Sequence, residues 1–412
     1  MIPDFSEKDI QRMSHSFLLP PTATIRKLVI GQPWVERNEE KAIQKCRVSI
    51  GNIEREIIFE VDIKFGDFLT FERGDAYLIG LLSLAMRERC DIYSKAPLSA
   101  ELVHQLQTEL IPALTKYSPH LYSPNIIADL APPLPLLEGG GKIGTGCSCG
   151  IDSLYAIKQL TESNIDSFKL DYLLINNVGA FTSQGKTNNT RYKDNVLNAI
   201  KFSEQYGYDL IITNSNFATA FPQDHLKTHL YSSCFAVYMM AKLWKRYYYA
   251  STGCDLNSYF GLRDNELYDS AKYDLIALPA FSTSHLRICN QGATVSRFEK
   301  TKDLADYEPA KTYLSVCLTH GVGSCGHCSK CMRTMWTLDA LNKLENFQKI
   351  FDVVNYKKNY SHYMKMLYRS HITGEQMINE TYDILKTRIS LPIKIKQQIR
   401  YFIKKLLTKL KS

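Results

Sequence analysis

The sequence predicts an α/β protein, a doubly wound and mostly parallel sheet, with an α+β domain ahead of it and a basic helix behind. Three observations point there. Short apolar runs of buried-strand type, Tyr172 to Asn176, Leu210 to Thr213 and Tyr247 to Ser251, alternate with amphipathic stretches of helical period. Strands of that kind need helices on both faces. The runs end in polar or small residues, at Cys147-Ser148, Asn176-Asn177, Thr213-Asn214-Ser215 and Ser251-Thr252, and such sheets bind ligands beyond the carboxyl ends of their strands. Finally, 412 residues with 45% hydrophobic content can bury a large core, as two domains.

Taken in order, residues 1–137 read as the α+β domain. Cys46 to Ile50 and Ile57 to Phe65 form a hairpin through Gly51-Asn52, because Ile57, Phe59, Val61 and Ile63 alternate with mostly polar neighbours. A helix follows from Asp75 to Arg89, then a strand near Ile92 and a helix capped by Ser99 with Leu102, Leu106 and Leu110 at helical spacing. Packing, dimerisation and substrate capture are all open to this domain, and a homodimer is the expected assembly. Prolines and then glycines from Ala131 to Gly141 mark the boundary. The second domain, 138–345, adds helices from Thr190 to Tyr206 and Leu226 to Trp244 and a further strand at Leu275 to Leu278. A helical extension, 346–412, closes the chain.

Lys142 to Leu160, KIGTGCSCGIDSLYAIKQL, reads as strand, tight loop and helix. A helix N-terminus offers unpaired N–H groups and the positive end of its dipole, so this loop is an anion cradle. The small Cys149 and Gly150 let backbone, with the N–H of Ile151, approach a phosphate. Ser148 and Ser153 add hydroxyl donors, and Asp152 sits where a carboxylate holds Mg²⁺ or caps a helix. Asp-Ser before an apolar run is also an ordinary helix start. The P-loop pattern is excluded because Leu136 stands at the required first glycine, and the Rossmann fingerprint fails because Cys149 stands at the third. Asn176 joins the cradle from the next strand end. Arg287, Arg297, Lys300 and Lys302 bring cations towards the same rim, where they neutralise a leaving anion or else lie on a solvated face with Glu299 and Asp303. Cys147 and Cys149 near a helix N-terminus read either as activated thiols or as small buried residues.

Cys325-Gly-His-Cys328-Ser-Lys-Cys331 spaces three thiols two residues apart, and Cys317 lies eight positions upstream at the end of a strand predicted from Tyr313 to Cys317. Four thiolates close a tetrahedral Zn²⁺ site, with an iron–sulfur cluster as the other metal option and His327 as an alternative ligand. A closed site has no open position for water and therefore pins a loop. It stands at the start of a helix from Cys331 to Leu344 that carries Met335, Leu338 and Leu341.

Ser148, Gly150, Asp152 and Ser153 match the Ser-Gly-Gly-x-Asp-Ser pattern of the PP-loop in the N-type ATP pyrophosphatases, which the segment resembles; Cys149 replaces the first glycine. Cys317 followed by Cys325-Gly-x-Cys328-x-x-Cys331-x-Arg333 is similar to the zinc signature of the 7-cyano-7-deazaguanine synthase family, with Arg333 one place earlier than that family's arginine. The resemblance spans Gly141 to Leu344. It implies an adenine nucleotide alpha hydrolase-like fold and use of ATP, Mg²⁺ and Zn²⁺. It also implies adenylation of a carboxylate for attack by ammonia or an amine, with AMP and pyrophosphate released. Ser148, Asp152, Ser153 and Lys300 are the implied catalytic residues, and Arg297 and Asn176 assist in nucleotide binding. Gly253 to Asp264 has no counterpart of that family's Tyr-Pro-Asp-Cys-Arg region, so the acceptor is expected to be another small molecule or a protein terminus. Two further readings stand beside it: a tRNA-modifying sulfurtransferase using Cys147, Cys149 or Cys254, and a non-catalytic nucleotide-binding scaffold.

The formal net charge is +8, yet Ile389 to Ser412 alone holds seven basic residues and no acid, which leaves the rest of the chain near neutral. A nucleic-acid partner is therefore disfavoured. No apolar stretch is long enough to span a bilayer, the first residues are too polar for a signal peptide, and eleven cysteines fit a reducing compartment, so the expected address is the cytoplasm. Ile393 to Leu410 places Ile395, Ile399, Phe402, Ile403, Leu406 and Leu410 on one stripe. Residues 391–412 thus form a basic amphipathic helix that packs on the parent domain, lies on an anionic membrane or docks into a partner.

Overall fold

The computed structural model describes residues 24–183, 186–252 and 269–409. Gly253 to Asp264, Cys254 and Leu410, all invoked above, lie outside the described residues. The strands, in chain order, are β1 (Arg26–Ile30), β2 (Trp34–Arg37), β3 (Lys41–Ile50), β4 (Ile53–Asp62), β5 (Cys90–Ser94), β6 (Leu98–Ser99), β7 (Ile126–Ile127) and β8 (Leu130–Ala131). Then come β9 (Lys142–Gly146), β10 (Tyr172–Asn177), β11 (Thr182–Ser183), β12 (Lys186–Thr187), β13 (Asp209–Ser215), β14 (Trp244–Ala250) and β15 (Arg287–Gln291). Eleven of them make one sheet in the order β15-β14-β9-β10-β13-β4-β3-β1-β5-β7, with β2 beside β3. The protein is α/β with a mixed, mostly parallel sheet.

The sheet has three zones. From β15 to β13 every pairing is parallel. The β3–β4 hairpin then enters antiparallel, with Thr213 opposite Val61 and Cys46 opposite Ile57. Beyond β1 the pairing with β5 and β7 is parallel again. The expected boundary near residue 137 therefore does not separate two sheets. An open edge leaves N–H and C=O groups unpaired, and the edges of β4 and β13 satisfy each other.

Two compact units result. One holds the described residues up to Cys147 together with Ala156–Tyr192 and Ser203–Thr294, and so contains all fifteen strands. Its core includes the helix Asp75–Arg87, every residue of which is buried, packed against the helix His225–Tyr238. A helix apolar all round belongs inside. Phe217 and Phe235 stack there at 4.4 Å. The other unit comprises Ser148–Tyr155, Lys193–Phe202 and the described residues from Val295 onward, and is helical. Its helices include Arg297–Leu304, Glu308–Tyr313, Ser329–Ala340, Tyr360–Ile372 and Leu391–Lys409.

Several local expectations are corrected. Leu275 to Leu278 lies in the helix Asp274–Ala280, and the strand at that edge of the sheet is β15; a four-residue apolar run carries no period that distinguishes the two. Tyr313 ends the helix Glu308–Tyr313, so Cys317 follows irregular chain and no strand. The helix through Leu226 stops at Tyr238, six residues short of Trp244, where β14 begins. Ser99 does not cap its helix. Its N–H and hydroxyl both donate to the Asp75 carboxylate, whose pKa is raised by burial despite those bonds.

One glycine of the sheet is fixed by close approach. A Cβ on Gly144 would meet Cζ3 of the fully buried Trp244 at 2.5 Å. Gly144→Ala is expected to cost about 1–3 kcal/mol, because the indole has no space to retreat into. A urea midpoint equal to that of wild type would contradict this packing.

Candidate functional site

The loop after β9 turns on Cys149, whose φ of +53° is a left-handed conformation that favours glycine. The thiol is nevertheless only 1% exposed, so it packs inward. The carbonyl of Gly150 accepts from Leu154 N–H at 2.9 Å, which opens the helix Ile151–Glu162. Ser153 Oγ also donates to that carbonyl at 3.2 Å and lies 3.2 Å from Ser148 Oγ. Ile151 contributes backbone alone, since its side chain is buried.

Asp152 stands in the first turn between two cations. Arg297 Nη2 is 2.9 Å from one carboxylate oxygen and Lys300 Nζ is 3.3 Å from the other. Both cations come from the helix Arg297–Leu304, started by a capping box in which Ser296 Oγ and the Glu299 side chain satisfy each other's backbone N–H. Their spacing of three puts them on one helical face. Lys300 is 0% exposed, and its ammonium lies 5.7 Å from the Tyr155 ring centroid. Arg297 Nε is buried without a hydrogen-bond partner among the described residues. Arg333, which pairs with Glu375 at 3.1 Å, has its pKa lowered by burial and then by the like charge of Arg297. Arg297 and Lys300 thus share the Asp152 carboxylate, and Arg333 pairs with Glu375 close to Arg297.

The four predicted cations do not all converge. Arg297 and Lys300 reach Asp152, whereas Lys302 is exposed on the same helix and Arg287 is exposed on β15. Asn176 belongs to the sheet unit, partly exposed on β10 opposite Thr213.

Ser315 connects the loop to the cysteines. Its N–H donates to the Cys149 carbonyl at 2.8 Å, and its hydroxyl donates to Gly321 O at 2.7 Å and lies 3.2 Å from Asn195 Oδ1. Two residues on, Cys317 joins Cys325, Cys328 and Cys331, whose sulfurs all lie within 4.8 Å of one another. Cys325 and Cys331 Sγ are 3.9 Å apart; a tetrahedron with bonds of about 2.3 Å has edges of roughly 3.8 Å. Gly326, at φ +73°, makes the turn that brings Cys328 N–H to Cys325 Sγ at 3.3 Å. Cys317 Sγ accepts from the N–H groups of Thr319 and His320, each at 3.4 Å. Such donors stabilise thiolate. Burial pushes the Cys317 thiol up, but the bonds from Thr319 and His320 outweigh it and hold the group down at about 6. A hydrogen bond from Cys331 holds Cys328 down at about 4, while Cys331 itself is pushed up. The group can hold a metal ion such as zinc. His327 is exposed and turns Nδ1 to the Cys325 carbonyl at 2.7 Å, outside the four.

Sequence reasoning missed Glu375, Ser315 and Asn195, which are remote in the chain and carry no local pattern. It also missed a relay in the sheet unit, where His229 lies 2.9 Å from Tyr249 Oη and 3.2 Å from Asp269 Oδ1. Burial raises the Asp269 pKa, but the hydrogen bond with His229 and that from Ala271 N–H bring it below the usual value.

Compared with protein-family models, curated proteins and solved structures, the chain matches none.

Proposed function

We propose that this protein is an ATP-dependent ligase of the PP-loop type, which adenylates the carboxylate of a small molecule or protein terminus for attack by ammonia or an amine. The reading is carried by Asp152, set at a helix N-terminus between Arg297 and the fully buried Lys300. The Ser148–Asp152–Ser153 loop, the order of the two motifs and the four thiols support it.

In the proposed reaction a substrate carboxylate oxygen attacks the α-phosphorus of ATP, the bond to the β-phosphate bridging oxygen breaks, and pyrophosphate leaves. Attack of the amine on the acyl carbon then expels AMP. Neither step needs a protein nucleophile; alignment and neutralisation of charge are what the protein supplies. Arg297 and Lys300 exchange Asp152 for phosphate oxygens, with the orphan Nε of Arg297 as an added donor. Ser148 and Ser153 offer hydroxyls to the same oxygens. Asp152, freed of its partners, would hold Mg²⁺, and that ion would supply further neutralisation of phosphate charge. Cys317, Cys325, Cys328 and Cys331 would hold zinc as a closed site, which would keep the Ser315 segment and the loop in register without activating water.

Sulfur transfer is less well supported, because Cys147 and Cys149 are each 1% exposed and a buried thiol is a poor carrier. Incubation with ATP, Mg²⁺ and a metabolite extract is expected to yield AMP and pyrophosphate. Release of ADP and phosphate would overturn the assignment.

A further inference from the structure

The helix Leu391–Lys409 docks by the wrong face for a core helix. Gln397 is buried, Gln398 accepts a hydrogen bond from Tyr368 Oη at 3.1 Å, and Tyr401 is partly buried, so this side packs on the helix Tyr360–Ile372. The apolar side points to solvent. Leu391, Ile395, Ile399, Phe402, Ile403 and Leu406 are between 51% and 68% exposed. At about 100° per residue these six fill an arc of roughly 120°, centred opposite Gln397. By the same wheel the exposed Lys396 and Lys405 lie about 20° and 40° beyond the two edges of the arc.

We propose that this face lies on an anionic lipid bilayer, with the apolar arc in the headgroup–acyl boundary and the flanking cations at lipid phosphates. Charge decides the occupant. The segment from Ile389 to Ser412 carries seven cations and no acid, so two copies of it repel and do not bury each other's stripe, whereas an anionic surface attracts each cation about fivefold. Among the described residues no helix is long and apolar enough to cross a membrane, which matches a helix that lies in the interface plane. Long basic side chains at the border of the arc can extend their charges upward while their stems stay apolar.

The test is sedimentation of the full chain with vesicles of phosphatidylcholine, alone or with about one third phosphatidylserine. Binding to the anionic vesicles is expected to exceed that to neutral ones by about tenfold or more and to weaken as salt is raised. The double substitution Ile399→Glu and Phe402→Glu is expected to abolish it with an unchanged urea midpoint, since both positions are exposed. Equal, weak sedimentation with both vesicles would overturn the proposal. So would a wild-type dimer in analytical ultracentrifugation that this double substitution dissociates, because the stripe would then belong to a second copy.

Discussion

Asp152→Asn is expected to lower the rate of AMP formation by about two to three orders of magnitude, the usual cost of losing one charge-organising group in a preorganised site. The same change is expected to destabilise the free protein. With the carboxylate gone, the buried Lys300 and the largely buried Arg297 lose the anion they share, and breaking a buried ion pair by removing one partner costs about 3 kcal/mol. Metal-free pyrophosphate then becomes diagnostic. It is expected to raise the urea midpoint of the variant more than that of wild type, because it supplies the negative charge that the substitution removes. A variant as stable as wild type and indifferent to pyrophosphate would show that the three side chains do not form one electrostatic unit.

Loss of the metal is expected to have the other large effect. One zinc per chain is predicted by elemental analysis of wild-type protein, and Cys328→Ser is expected to lose it. Apparent binding energies of structural zinc run to about 10 kcal/mol or more, so removal reaches well beyond the loop. Cys328 also accepts the N–H of Cys331 at the start of the helix Ser329–Ala340; serine caps a helix well, so the variant removes a metal ligand and keeps the helix start. A strong chelator should make Cys325 and Cys328, the two partly exposed thiols of the four, reactive to alkylation while Cys147 and Cys149, each 1% exposed, stay protected. Unchanged stability and full activity after complete chelation would refute a structural role for the ion.

What was legible in the chain was local. The loop from Ser148 to Ser153 and the cysteines from Cys325 to Cys331 each state their geometry within a few residues, since a turn and a metal clip depend on short spacing. What was hidden depends on distant partners. The edge of β4 is satisfied by β13, and nothing in Ile53 to Asp62 says which strand will lie beside it. Arg333 reads as a metal-loop neighbour until Glu375 is placed against it. Leu275 to Leu278 has strand composition, yet the buried Asp274 begins a helix there. The apolar stripe of the last helix was visible, but which side it would dock by was not, because that depends on the Tyr360–Ile372 surface.

The claim on which the rest depends is that Arg297, Lys300 and the loop around Asp152 bind a nucleotide's triphosphate. Calorimetric titration of ATP with Mg²⁺ into wild type, Arg297→Ala and Lys300→Ala tests it most directly. Wild type is predicted to bind one ATP per chain, and each variant to bind it at least about tenfold more weakly, the loss expected of a charge-assisted phosphate contact. Equal affinity in all three proteins, or no binding by wild type, would contradict the account.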